Sequence, residues 1–123
     1  MTTLTTRLSQ ATEPTREMLW EAWQGVMMQD LGGGDENSQR SLYSHQCRYL
    51  ALLDAEAWAS AVEMLVPEGW EWALYGPTDG FRAQAQLETS AMRAKPDFEP
   101  VSAFGEHIAL ALAIACLKAR GLS

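Results

Sequence analysis

The chain has 123 residues, 47% of them hydrophobic, which fits one globular domain over residues 1–123 and excludes a disordered chain. Sixteen acidic residues against nine lysines and arginines give a net charge of −7, which argues against direct binding of nucleic acid, because phosphate contacts need a basic surface. Two cysteines are too few for a disulfide framework, and residues 108–117, the most apolar stretch, are too few to cross a bilayer. We therefore expect a cytoplasmic protein with no membrane segment.

The N-terminal half is predicted to hold two helices followed by a long loop. Leu4, Leu8 and Ala11 recur at helical spacing and predict a short helix that ends near residue 10. A second helix, capped by Thr12, has an apolar stripe made of Leu19, Trp23, Val26 and Met27. Residues 32–46 begin with three glycines and continue with polar residues, so this stretch is predicted to be the one long loop.

The middle of the chain changes from helical to strand periodicity. Asp54 is a suitable N-cap for a third helix, whose apolar face is made of Trp58, Ala61, Val62 and Leu65. In residues 70–75 and in residues 81–88 every second residue is apolar, and the turn sequence GPTDG separates the two runs. This pattern predicts an antiparallel hairpin. Trp70 and Trp72 share one strand face, which we expect to face the core.

Two further elements complete the predicted fold. A hairpin alone is marginally stable, so a third strand is expected near residues 90–94. A last helix over residues 106–119 is apolar on nearly all sides and is predicted to be the most buried. The fold class predicted is α+β, with a small antiparallel β-sheet (the hairpin and a third strand) packed between α-helices.

Several segments together resemble a family of small proteins from bacteriophages and prophages. The most specific is LVPEGWEW at residues 65–72, preceded by LDA at residues 53–55. Two others agree in order and spacing: ATEPTRE at residues 11–17 and ALALAIACLKAR at residues 109–120. Over most of residues 8–121 the chain resembles the phage ABA-sandwich domain family. The resemblance implies an α/β/α arrangement and a phage or prophage accessory protein in the cytoplasm of a bacterial host. It implies no catalytic residues, because the family has no established common activity.

No residue pattern is typical of a catalytic or metal site. His45 and Cys47 are two residues apart, and His107 and Cys116 are nine apart, whereas structural zinc usually takes closely paired ligands. Cys47 has His45 close by, with Asp30 and Asp35 nearby, but no catalytic signature surrounds this cysteine. We therefore predict no enzymatic activity, no metal and no cofactor.

Polar and aromatic residues outside the apolar stripes are the candidates for a binding surface. Arg82 and Gln84 are expected on the polar face of the hairpin near Tyr75, where a guanidinium and an amide suit a phosphate or a carboxylate. Trp20 lies off the apolar stripe of the second helix and Tyr43 lies in the predicted loop, and either ring could anchor an interface or stack on a base. The predicted binding residues are Asp35, Glu36, Tyr43, Tyr75, Arg82, Gln84 and Trp20.

Three functional hypotheses remain open at this point. The first is a phage or prophage accessory protein that inhibits a host protein, such as a component of a defence system, by non-catalytic binding, since an acidic surface can compete for a basic channel. The second is sequestration of a small molecule, for example a nucleotide signal, at a site that can form between subunits of a homo-oligomer. The third is a structural or assembly role in the phage particle.

Overall fold

We describe a computed structural model of the chain over residues 3–31, 36–78 and 80–122, leaving aside the side chains of residues 30, 31 and 36–39. Over these ranges six helices and three strands follow in the order α1 Leu4–Gln10, α2 Arg16–Leu31, α3 Glu36–Asp54, α4 Trp58–Glu63, β1 Glu71–Tyr75, β2 Ala83–Glu88, α5 Ser90–Arg93, β3 Val101–Gly105 and α6 Ile108–Ala119. The predicted α+β class, with a three-stranded antiparallel sheet packed against helices, is confirmed. None of the described helices combines the length and the apolar character needed to cross a membrane.

The sheet has the strand order β1-β2-β3, with both pairs antiparallel. Leu74 of β1 pairs with Ala85 of β2, and Ala85 pairs with Ala103 of β3. Because directly opposite residues of an antiparallel pair point to the same side, these three side chains belong to one face. Helix α6 covers this face and packs mainly against β2 and β3.

Helix α6 is the centre of the hydrophobic core. Every residue from Ala109 to Leu117 is buried, as its apolar composition predicts, and α1, α2 and α4 also pack against it. The approach of β3 to this helix is close at Gly105, where an added Cβ would lie 3.0 Å from the backbone nitrogen of Ala111. A glycine at this position therefore lets the strand and the helix meet.

The prediction of a loop over residues 32–46 is wrong where it can be compared, because α3 begins at Glu36; residues 32–35 lie outside the described residues. The helix is hard to recognise because its first half is polar. Among its described residues, Tyr49 and Leu53 are buried, and Leu42, Leu50 and Leu52 are partly buried against the core. Since these anchor α3 to the core as far as Asp54, that residue ends α3 and is not the cap of the next helix, which follows Ala57.

The third strand exists, but it lies at Val101–Gly105 and not near residues 90–94. Residues 90–93 form the single helical turn α5, because the Thr89 hydroxyl accepts a hydrogen bond from the backbone N–H of Met92 at 3.1 Å. Strand β3 is inconspicuous in the sequence because its two buried positions are Ala103 and Gly105, whose small side chains carry little hydrophobic signal.

Candidate functional site

A row of three side chains crosses the face of the sheet opposite α6, and two of them were predicted binding residues. Tyr75 of β1 pairs with Gln84 of β2, which pairs with Phe104 of β3, so all three point to this open face. Tyr75 is 52% exposed and Phe104 is 51% exposed. Adjacent strands lie about 4.8 Å apart, which places the two rings about 10 Å from each other with the amide between them. We call Tyr75, Gln84 and Phe104 the aromatic row.

Phe104 was not among the residues predicted from the sequence. The signal that reveals it is the alternation within β3, where Phe104 stands between the buried Ala103 and Gly105 and must therefore point to the other face. That signal could be used only once residues 101–105 were known to be a strand.

The far end of the open face is occupied by an ion-pair cluster. Glu71 pairs directly with Glu88 across β1 and β2, an arrangement of like charges that is unfavourable by itself. Arg93 of α5 relieves it, with its Nη1 at 2.7 Å from one Glu71 oxygen and at 3.0 Å from one Glu88 oxygen. The hydrogen bond and positive charge of Arg93 lower the pKa of Glu71. Helix α5 thus closes this end and leaves the aromatic row at the other.

Trp72 is exposed, contrary to the prediction that it faces the core. It pairs with the buried Leu87 and so points to the α6 side of the sheet, but it is 44% exposed. The reason is that β1 is the edge strand, whereas α6 packs mainly on β2 and β3. The ring therefore lies at the rim of the sheet, on the same strand as Tyr75.

Arg82 was predicted beside Gln84 as an anion-binding residue, and the structure gives its guanidinium other partners. Its Nε lies 3.1 Å from a carboxylate oxygen of Glu106, and its Nη2 donates to the backbone carbonyl of Ser9 at the end of α1. These contacts connect α1, the start of β2 and the loop before α6. The Arg82 guanidinium therefore holds three parts of the fold together, and nothing in the sequence indicated these contacts.

Trp20 lies in a ring stack on the helical side of the molecule, away from the aromatic row. Its ring stacks on Trp23, with centroids 4.9 Å apart and planes 9° apart. Trp23 donates its indole N–H to Nδ1 of His45 at 2.8 Å. Because an indole nitrogen can only donate, Nδ1 is the acceptor, and the ring proton sits on Nε2, which lies 3.3 Å from the carbonyl oxygen of Met64. The two hydrogen bonds of His45 therefore join α2, α3 and the residue that follows α4.

The remaining predicted residues lie on or before α3. Tyr43 is 67% exposed, and a hydrogen bond to the Cys47 side chain one turn later raises the pKa of Tyr43. Glu36 is the first residue of α3, and its side chain is among those not described; Asp35 lies outside the described residues. Since α3 packs against α2 and α4, Tyr43 does not join the aromatic row, and the predicted residues do not form a single site.

A groove runs between α3 and α4, on the surface beside the Trp23–His45 pair. Its volume is about 460 Å³, and an adjoining hollow of about 490 Å³ shares Arg48 and Met64 with it. The groove is lined by Arg40, Ser41, Ser44, His45, Arg48 and Met64. The site was not predicted because residues 40–45 were assigned to a loop, in which a helical stripe that continues to Arg48 cannot be recognised.

The histidines and cysteines are dispersed. Among the residues that the structure describes, no three His, Cys, Asp or Glu side chains come together as metal ligands. His107 caps α6, its Nδ1 accepting from the backbone N–H of Ala109 at 3.0 Å. Cys47 is exposed on α3, whereas Cys116 is buried in α6, where burial raises the pKa of its thiol to about 12. Because its side chain is buried in the core, Cys116 acts as a small apolar packing group.

Comparison with known proteins found no matching family model, no matching curated protein and no matching solved structure. The features of the chain that bear on function are therefore its two surfaces, the aromatic row and the groove between α3 and α4.

Proposed function

We propose that the chain is a non-catalytic binding protein whose working surface for a protein partner is the open face of the sheet. Its proposed setting is that of a phage or prophage accessory protein that inhibits a host protein, such as a component of a defence system, in the bacterial cytoplasm. The observation that carries the proposal is the aromatic row, in which two half-exposed rings flank an amide on paired strands.

The aromatic row has the chemistry of a protein interface. Aromatic residues dominate the energetics of such interfaces, because each ring removes a large apolar area from water and has few rotatable bonds to immobilise. Gln84 supplies a donor and an acceptor between Tyr75 and Phe104, which can fix the orientation of a partner. All three residues sit on hydrogen-bonded strands, so little ordering is required when the partner binds.

The edge strand extends this surface. In the described part of the chain β1 pairs with β2 alone, so its outer edge offers backbone groups and the exposed ring of Trp72. A partner that covers Tyr75 and reaches around β1 would bury Trp72 as well. A partner segment in extended conformation could also add to this edge, which is a recurrent mode of protein recognition.

Charge favours a basic partner. The net charge of −7 steers a positively charged protein surface towards the chain, and an acidic inhibitor can compete with nucleic acid for a basic channel. A nucleotide held at the open face is less well supported, because Arg82, the predicted phosphate ligand there, pairs with Glu106 and bonds the Ser9 carbonyl. The open face therefore suits a protein better than a phosphate.

The test compares three forms of the full chain immobilised against lysate of a bacterial host: the wild type, the Tyr75→Ala/Phe104→Ala double variant and Tyr43→Ala. Tyr43 is an equally suitable exposed tyrosine on α3 and serves as the matched control. We expect a lysate protein that binds to the immobilised wild type and to Tyr43→Ala but does not bind to the double variant. With that protein purified, the double variant should bind at least about tenfold more weakly, since interface hot spots are worth about 2 kcal/mol or more.

Two further readings decide the proposal. Native mass spectrometry of the purified pair should give a stoichiometric complex, and its affinity should fall as salt rises, as expected for an acidic surface meeting a basic one. Equal affinity of the wild type and the double variant for the retained protein would place the interface elsewhere and overturn the proposal.

A further inference from the structure

We infer that the groove between α3 and α4 is a binding site for a small organic phosphate of about nucleotide size. This inference concerns a different surface from the aromatic row and goes beyond the proposed protein-binding function.

Arg48 differs from several other arginines of this acidic chain. Ion pairs are formed by Arg7 with Glu21, Arg16 with Asp54, Arg82 with Glu106, and Arg93 with Glu71 and Glu88. Arg48 has no carboxylate within salt-bridge distance among the described residues, although Glu63 lines the adjoining hollow. An arginine that lines a groove and is not neutralised by the fold can receive an anion from outside.

Two arginines and two hydroxyls converge on the same groove. Arg40, Ser44 and Arg48 are spaced at i, i+4 and i+8 on α3 and therefore form one stripe, with Ser41 beside it. The backbones of the two arginines are about 12 Å apart along the helix, so both guanidinium groups add positive charge to the same stretch of the groove. Guanidinium and hydroxyl groups are donors, and a phosphate offers at least three acceptor oxygens to them.

The rest of the lining suits the organic part of the ligand. Met64 lines both the groove and the adjoining hollow, and Leu52, which is partly buried, lines the hollow. The ring of His45 forms part of the wall of the groove. The Trp23 indole donates a hydrogen bond to Nδ1 of this ring and so fixes the position of the ring. The volume of about 460 Å³ falls within the range of about 300–1,000 Å³ that is usual for small-molecule sites.

The charge distribution favours a small ligand over a nucleic acid. A polyanion long enough to follow a basic groove would also run over the acidic surroundings of a chain whose net charge is −7. A mononucleotide or a comparable metabolite meets only the groove. The ligand that fits the groove is therefore a small phosphorylated molecule.

The experiment uses NMR on the full chain, because the protein contains only two histidines and they report on different places. His45 lines the groove, whereas His107 caps α6 and serves as an internal control. ADP, AMP, inorganic phosphate and adenosine are titrated at constant ionic strength. We expect ADP and AMP to shift the imidazole signals of His45 saturably, and inorganic phosphate to shift them more weakly. Adenosine should leave the His45 signals unchanged, and none of the four compounds should shift the His107 signals.

Variants locate the site. Arg48→Gln should weaken ADP binding about tenfold or more, the lower end of what hydrogen bonds to charged groups contribute. Lys95→Gln removes the same charge from an exposed position outside the groove and should leave binding unchanged. Ser44→Asp, which puts a carboxylate between the two arginines, should abolish binding while the protein remains folded by circular dichroism.

Four outcomes would overturn the inference. They are the absence of any His45 shift with millimolar ADP, an equal shift with adenosine, an equal loss of binding in Arg48→Gln and Lys95→Gln, and tighter binding of a short DNA oligonucleotide than of ADP. The proposed protein interface is tested by variants on the sheet, so the two ideas can fail separately.

Discussion

Trp23 on α2 and His45 on α3 are joined by a hydrogen bond of 2.8 Å from the indole N–H to Nδ1 of the imidazole. Trp23 is 5% exposed, so its N–H depends on this acceptor in place of water. The other nitrogen of the same ring lies 3.3 Å from the carbonyl oxygen of Met64 just beyond α4. One imidazole therefore ties three helices together, and it also forms a wall of the groove between α3 and α4.

His45→Ala should destabilise the protein by about 1–3 kcal/mol, because it leaves a buried donor without a partner. Trp23→Phe removes the donor itself, so the two changes should be coupled by about 0.5–3 kcal/mol in a double-mutant cycle followed by urea unfolding. Trp20→Phe is the matched control, since Trp20 stacks on Trp23 but has no hydrogen bond to His45 among the described contacts. Additive effects of His45→Ala and Trp23→Phe would show that the bond contributes nothing to stability.

The same substitution should have opposite effects at Gly105 and Gly25. Gly105→Ala places a methyl group 3.0 Å from the Ala111 nitrogen and 3.2 Å from the Leu110 Cβ, so it should destabilise the protein by about 1–3 kcal/mol. Gly25 lies inside α2 with nothing within 4 Å of an added Cβ. Gly25→Ala should therefore stabilise by about 0.5–1 kcal/mol. Thermal unfolding of both variants measures the contrast, and an unchanged midpoint for Gly105→Ala would disprove the close strand–helix approach.

The parts of the fold that could be predicted are those in which local pattern and tertiary packing agree. The hairpin was recognisable because residues 83–88 alternate strictly and every second one is buried. Helix α6 was recognisable because almost all of its surface meets other elements, so its composition alone is sufficient. In both cases the positions of the apolar residues in the sequence are the positions that the fold buries.

The parts that escaped prediction depend on partners distant in sequence. The first half of α3 looks like a loop because His45, which faces Trp23, reads as a polar residue until its partner is known. Strand β3 buries only small residues, so Phe104 could not be placed on the open face. The aromatic row was half predicted, through Tyr75 and Gln84, whereas the groove on α3 depended on a helix that the sequence did not suggest.

Leu112→Ala should destabilise the protein by about 2–5 kcal/mol, because Leu112 is fully buried in α6 and its removal leaves a cavity. Tyr75→Ala should cost less than about 1 kcal/mol, because its side chain is half exposed and mainly strand propensity is lost. Urea unfolding of the two variants checks the difference. A large loss of stability in Tyr75→Ala would mean that the ring supports the fold. The exposure of Tyr75 would then no longer favour a binding role for the open face.

The stability of the protein should fall at alkaline pH because of Cys116. Burial raises the pKa of this thiol from 9.0 to about 12, so the folded state keeps a proton that the unfolded chain releases. Stability from this group is therefore fully present below about pH 9 and is lost as pH rises towards 12, with a slope that approaches about 1.4 kcal/mol per pH unit. Burial also raises the pKa of Tyr49, but from 10.0, so its effect begins at higher pH.

The free energy of unfolding should therefore be measured in urea between about pH 8 and 10, with a reductant present, for the wild type, Cys116→Ala and Val26→Ala. Both substitutions lower stability throughout by creating a cavity, so the informative quantity is the slope with pH and not the absolute value. We expect a shallower slope in Cys116→Ala and an unchanged one in Val26→Ala, which removes a buried apolar group of α2 and leaves the thiol in place. Equal slopes in all three proteins would mean that the Cys116 thiol has the same pKa in the folded and unfolded states, and the expectation drawn from its burial within α6 would be wrong.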